Sequence, residues 1–248
     1  MRRRLSFAGL ALVGYLAAVV VVGLLPGQAG ISHRTLVAAL AFSPADLLSG
    51  RLWLLPLSGV VAEGDTWAQI ALLAPAALAV VAVAGARTFW RAAIFAHVGS
   101  TLIAYAILGL LEIADPPVAG DLFRDPDYGM SCVWAGAAGA FAVVAARSPA
   151  NRRAKLTAAA ILGAPVVALL AIGFVTPAGM LDIASVEHLF AFLLGALAGR
   201  MSPRARRAPS GRGDYQPSIT TFSWWFRTVM STVVRPRRRA PARTPSTP

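Results

Sequence analysis

Ser131, His188, His97 and Asp127 are the residues whose types carry acid–base or nucleophilic chemistry within or beside apolar runs of this chain. An ionisable or nucleophilic side chain is costly in hydrocarbon, so its position there is more informative than in an aqueous protein's core. A serine next to a histidine is the minimum for covalent catalysis, because the imidazole takes the hydroxyl proton as the oxygen attacks a carbonyl carbon. Ser131 lies about three residues inside the outer end of the fourth apolar run, and His188 about five inside the outer end of the sixth. At about 1.5 Å per residue their depths agree. His97 enters the third run from the opposite side, about five residues in, and is expected as a packing or hydrogen-bonded histidine in the other leaflet. Asp127, four residues before Ser131, is expected to cap the fourth span, with lining of a polar opening as the alternative. A membrane serine also satisfies its hydroxyl on a preceding backbone carbonyl, and His188 beside Glu187 suits an interface. The chemical and structural readings of the pair therefore stand side by side.

The elements that must position these residues are helices in lipid. The chain has 248 residues, 57% of them hydrophobic and only 14% charged. Its mean hydropathy of +0.65 lies outside the usual range of soluble domains. Runs long enough to cross a bilayer, about 20 residues, are Leu5 to Leu25, Trp67 to Ala86, Ala92 to Ile113, Tyr128 to Ala146, Leu156 to Val175 and Ile183 to Met201. The first follows Arg2, Arg3 and Arg4 but is too long for a signal-peptide core, so it is expected as an uncleaved span. With the N-terminus inside, 20 of the 23 basic residues fall on the cytoplasmic side, and every acidic residue but Asp214 falls on or near the outer side. A wrong span count would mix these charges, so the separation supports six spans independently of hydropathy. The expected fold class is all-α: a polytopic protein of the cell membrane with six transmembrane helices over residues 1–201 and both ends in the cytoplasm.

The same distribution excludes other classes. A net charge of +12 brings no legible nucleic-acid module, and its basic residues crowd the ends and the short connections. One cysteine, Cys132, makes no internal disulfide, and three scattered histidines give no metal-ligand spacing, so no metal or other cofactor is expected. No internal repeat or paired buried charge suggests a coupled transporter. The connection from Pro26 to Thr66 is long and half apolar, with Leu54, Leu55, Leu57, Val60 and Val61 after Trp53, and is expected to lie in the outer interface. Residues 202–248 form a basic tail, largely disordered by composition. Ile219, Phe222, Phe226, Val229 and Val233 recur in it at helical spacing, which predicts an interfacial helix over 219–234 held by anionic lipid.

Small residues say which spans are neighbours. Cys132, Gly136 and Ala140 form one stripe of the fourth span, Ala135 and Gly139 another, and Gly195 and Gly199 stand four apart on the sixth. Backbones approach closely at such patterns, so these two spans are expected to touch.

Six spans, a long first outer loop, Gly129-Met130-Ser131-Cys132 opening the fourth span and His188 near the start of the sixth resemble the rhomboid intramembrane serine proteases over about Leu5 to Met201. The resemblance implies a rhomboid-like bundle with Ser131 as catalytic nucleophile, His188 as its base and transmembrane proteins as substrates. Gly139 and Gly195 also match family positions, and Asp127-Tyr128-Gly129-Met130-Ser131 with His97-Val98-Gly99-Ser100-Thr101 upstream is similar to a divergent actinobacterial rhomboid-like group. Departures are specific. Trp53 is followed by Leu54 rather than arginine, and Trp67 and Ala71 stand where the family carries the histidine and asparagine that donate to the oxyanion. A rotated second span would offer Gln69 instead. Cys132 replaces the motif's last glycine, Ala135 the tyrosine that packs on the histidine, and Ala191 a glycine. The readings that follow are an intramembrane serine protease cleaving near the outer face and, as the alternative, a non-catalytic rhomboid-like protein that binds transmembrane helices. In both, the partners are membrane lipids and transmembrane substrates or clients, not nucleic acid.

Overall fold

The structure is a computed structural model that describes residues 7–28, 31–62, 64–114, 123, 126–147, 152–175 and 183–202. The chain divides into Met1–Ala205 and Arg206–Pro248, and every described residue lies in the first unit. The expected interfacial helix over 219–234 lies outside the described residues.

The described residues form helices: α1 (Phe7–Gln28), α2 (His33–Leu40), α3 (Pro44–Leu48), α4 (Leu54–Ser58), α5 (Thr66–Ala84), α6 (Ala86–Ala114), α7 (Met130–Arg147), α8 (Arg152–Val175) and α9 (Ile183–Met201). Each of the six apolar runs read from the sequence carries one long helix. Among the described residues four helices are long and apolar enough to cross a membrane: Phe7–Pro26 within α1, then α5, α6 and α7. An apolar stretch carries its backbone through hydrocarbon only by pairing every N–H and C=O internally, which is what a helix does.

α7 is the central helix. Protein covers 67% of its apolar window, against 11% for α1, which shows most of its surface to the surroundings. Its small residues explain the difference. A Cβ at Gly195 of α9 would run into the Gly136 carbonyl, one at Gly139 into the Phe192 carbonyl, and one at Gly199 would stand 2.6 Å from the Ala140 carbonyl oxygen. Backbone therefore touches backbone along this seam. The contacts advance in the same direction on both helices, so α7 and α9 run parallel. α6 packs against both: a Cβ at Gly136 would meet Ala96 and stand 3.1 Å from the Ala92 carbonyl oxygen and 3.4 Å from that of Ala191 in α9.

Only Gly85 separates α5 from α6, and its φ of +86° makes the reversal possible without a side-chain clash. Asp65 caps α5, its carboxylate accepting from the Trp67 and Ala68 amides. At the other end of the bundle Arg147 donates to the Gly199 and Arg200 carbonyls, tying the last turns of α7 and α9 together.

The long α1–α5 connection holds three short helices. Ser43 and Asp46 make a capping box on α3, and Asp46 pairs with Arg51. Leu54, Leu55, Phe42 and Val61 turn into the protein, whereas Leu48, Leu52, Trp53 and Leu57 are exposed. The segment thus presents an apolar outer surface beside an apolar inner one, a division expected of a chain lying at an interface.

Candidate functional site

Ser131 stands in the first turn of α7 and His188 in the second turn of α9, and the two helices run parallel. Gly136 faces Ala191 and Gly195, so Ser131, five residues before Gly136, and His188, five before the midpoint of that pair, are both about 7.5 Å up the seam. Both side chains are buried, at 9% and 7% exposure. The Ser131 hydroxyl donates to the Tyr128 carbonyl at 3.2 Å. The His188 ring stacks on Trp134, centroids 6.1 Å apart and planes 27° from parallel. Trp134 follows Ser131 by three residues and shares its side of α7, so this stack ties the imidazole to the face of α7 that carries the serine.

Around this pair lies a set of buried polar side chains. Ser100, Thr101, Cys132 and Glu187 are buried, and Asp127 is half-buried. Ser100 itself donates to the Ala96 carbonyl. Glu187 is buried beside His188.

Two expectations are corrected. His97 does not belong to the far side of the bundle: a Cβ at Gly129 would collide with its ring, so it sits against the turn that leads into Ser131. The reason is length and reach. α6 begins at Ala86, making His97 its twelfth residue, and both Leu55–Gly59 and Asp127–Gly129 come inward to meet it. Asp127 is engaged with α6 rather than given over to capping α7. Its carboxylate accepts from the Thr101 hydroxyl at 3.0 Å, and its backbone pairs with Phe42.

The orientation of α5 is also decided. Leu73, Ala76 and Val80 are buried, and Gln69 continues their stripe at the same helical spacing, half-buried. Trp67 is 55% exposed and Ala71 is exposed as well. Gln69, not Trp67 or Ala71, is the inward polar residue of that turn. The first intrahelical bond of α7 runs from the Val133 amide to the Gly129 carbonyl at 3.2 Å. The amides of Met130, Ser131 and Cys132 precede it, at the end of the helix where N–H groups project beyond the ladder.

Among the described residues no group of three or more histidine, cysteine or acidic side chains is placed to hold a metal ion. No protein-family model, no curated protein and no solved structure matches the chain.

Proposed function

We propose that the chain is a six-span, rhomboid-like protein of the cell membrane and an intramembrane serine protease, with Ser131 as nucleophile and His188 as base. The observation that carries this reading is the level placement of the two residues on the parallel, backbone-close pair α7 and α9, with His188 held by Trp134. In the reaction, the Ser131 hydroxyl turns from the Tyr128 carbonyl to a substrate carbonyl carbon and its proton passes to the imidazole. The tetrahedral oxyanion meets the amides at the start of α7, with the inward-turned Gln69 as a candidate side-chain donor. The imidazolium then protonates the leaving amine, and water drawn through the same base releases the acyl group. Transmembrane segments are the substrates, because Ser131 and His188 lie within apolar helices and the family that the sequence resembles acts on such segments. The separation of basic from acidic residues supports cytoplasmic ends and a site opening on the outer side.

The test is labelling of the detergent-purified protein with a fluorophosphonate. Labelling that is lost in both Ser131→Ala and His188→Ala is the expected result; a folded wild type that takes no label overturns the reading.

A second reading is favoured by the Ser131 hydroxyl already being satisfied on Tyr128 and by the outward Trp67 and Ala71. It is a non-catalytic rhomboid-like protein that binds transmembrane helices, and under it His188→Ala leaves crosslinking to a bound helix intact.

A further inference from the structure

His97 is the one histidine near Ser131 to which neither reading gives a task. It is 5% exposed, and its Nε2 lies 2.6 Å from the Leu55 carbonyl oxygen and 3.2 Å from the Ser58 hydroxyl. A carbonyl only accepts, so Nε2 carries the proton and donates to Leu55. The Ser58 hydroxyl donates to the same carbonyl at 3.0 Å, and the Ser58 backbone carbonyl accepts the Gly129 amide at 3.0 Å. The Cε1 edge of the ring, between its two nitrogens, is pressed against Gly129 itself, whose lack of a side chain makes the approach possible. The Nδ1 on that edge has no hydrogen-bond partner among the described residues. A buried nitrogen left without a partner is destabilising, so the imidazole is a poor choice for packing alone. What it supplies that an apolar ring cannot is the Nε2 proton on α4.

We infer that His97 is a positioning residue for Ser131. It clamps α4 to α6, and between them the ring and the Ser58 carbonyl grip Gly129 from two sides, fixing the turn from which α7 starts. Ser131 is the second residue of that helix, so a loosened turn moves its hydroxyl and the neighbouring amides together. This assignment rests on the reactive-serine reading for its meaning in catalysis, but the clamp has consequences that need no catalysis.

The only cysteine of the chain reports on it. Cys132 is 1% exposed and directly follows Ser131, so alkylation by a membrane-permeant maleimide requires local opening at the start of α7. Ala145, buried at the other end of α7, serves as the reference site when changed to cysteine in a Cys132→Ser background. His97→Phe keeps a ring and removes the donor; His97→Gln keeps a donor. Loss of a buried hydrogen bond shifts local opening by about fivefold. The expected result is that His97→Phe accelerates Cys132 alkylation about fivefold and leaves the Ala145→Cys site unchanged, with His97→Gln restoring most of the protection. His97→Leu, which is smaller and likewise lacks the donor, accelerates in the same direction and carries the test should His97→Phe not fold. Alkylation of Cys132 unchanged in the folded variants, equal acceleration at both sites, or a Gln variant as fast as Phe each overturns the inference. A wild type that takes no fluorophosphonate removes the protease reading, while the alkylation comparison still decides what His97 does.

Discussion

The Trp134 indole lies over the His188 imidazole, 6.1 Å between centroids and 27° between planes, and so couples the orientation of the candidate base to the helix that carries the candidate nucleophile. A histidine that must take a proton from a fixed hydroxyl loses rate when its ring is free to turn.

Stacked aromatic pairs contribute about 0.5–1.5 kcal/mol beyond their buried area, which corresponds to about a three- to tenfold effect on a rate that depends on the stacked pose. Trp134→Leu is expected to slow fluorophosphonate labelling of Ser131 by that amount, and Trp134→Phe to retain most of the rate. Equal rates in the Leu variant and the wild type would uncouple His188 from the serine.

Gly195 faces the Gly136 backbone with no room for a methyl group. Gly195→Ala must push α9 away from α7, an overpacking cost of about 1–3 kcal/mol, and is expected to lower the detergent-denaturation midpoint together with serine labelling. Gly14 on α1 has nothing within 4 Å of the space a Cβ would take. Gly14→Ala is therefore neutral or slightly stabilising, by up to about 1 kcal/mol from helix propensity. If both substitutions had the same effect, close approach at the seam would not be what holds α9.

Thr101 is fully buried and donates to the Asp127 carboxylate. Hydrogen bonds to charged groups are worth about 1.5–3 kcal/mol, so Thr101→Val, nearly equal in volume, is expected to destabilise the fold by about that amount. Unfolding of the two proteins in mixed micelles measures it; a Val variant as stable as wild type would mean that the carboxylate finds its stabilisation elsewhere.

Much of the helix framework was legible in the sequence because its signals are local. Apolar length marks a helix wherever the solvent is lipid, and the long helices lie close to the runs read from hydropathy. The α7–α9 seam was legible too, since glycine spacing on one helix is a statement about how near another backbone can come. Trp134 was missed as the partner of His188. A buried tryptophan three residues after a candidate serine, on the same helix face, was the available signal.

By itself the sequence determined which long stretches are helical, and it led to the expectations that the fourth and sixth spans touch and that Ser131 and His188 have similar depths. Those properties follow from composition and spacing along a single segment, because helix geometry converts residue number directly into height and face. Only the tertiary structure decided that Gln69 turns inward while Trp67 turns out, that Asp127 takes Thr101 as its partner, and that His97 closes on Gly129. Each depends on how far one helix is rotated, or on where segments dozens of residues apart converge. No periodicity within a segment encodes that, because it is set by the mutual packing of α4, α5, α6 and the turn before α7.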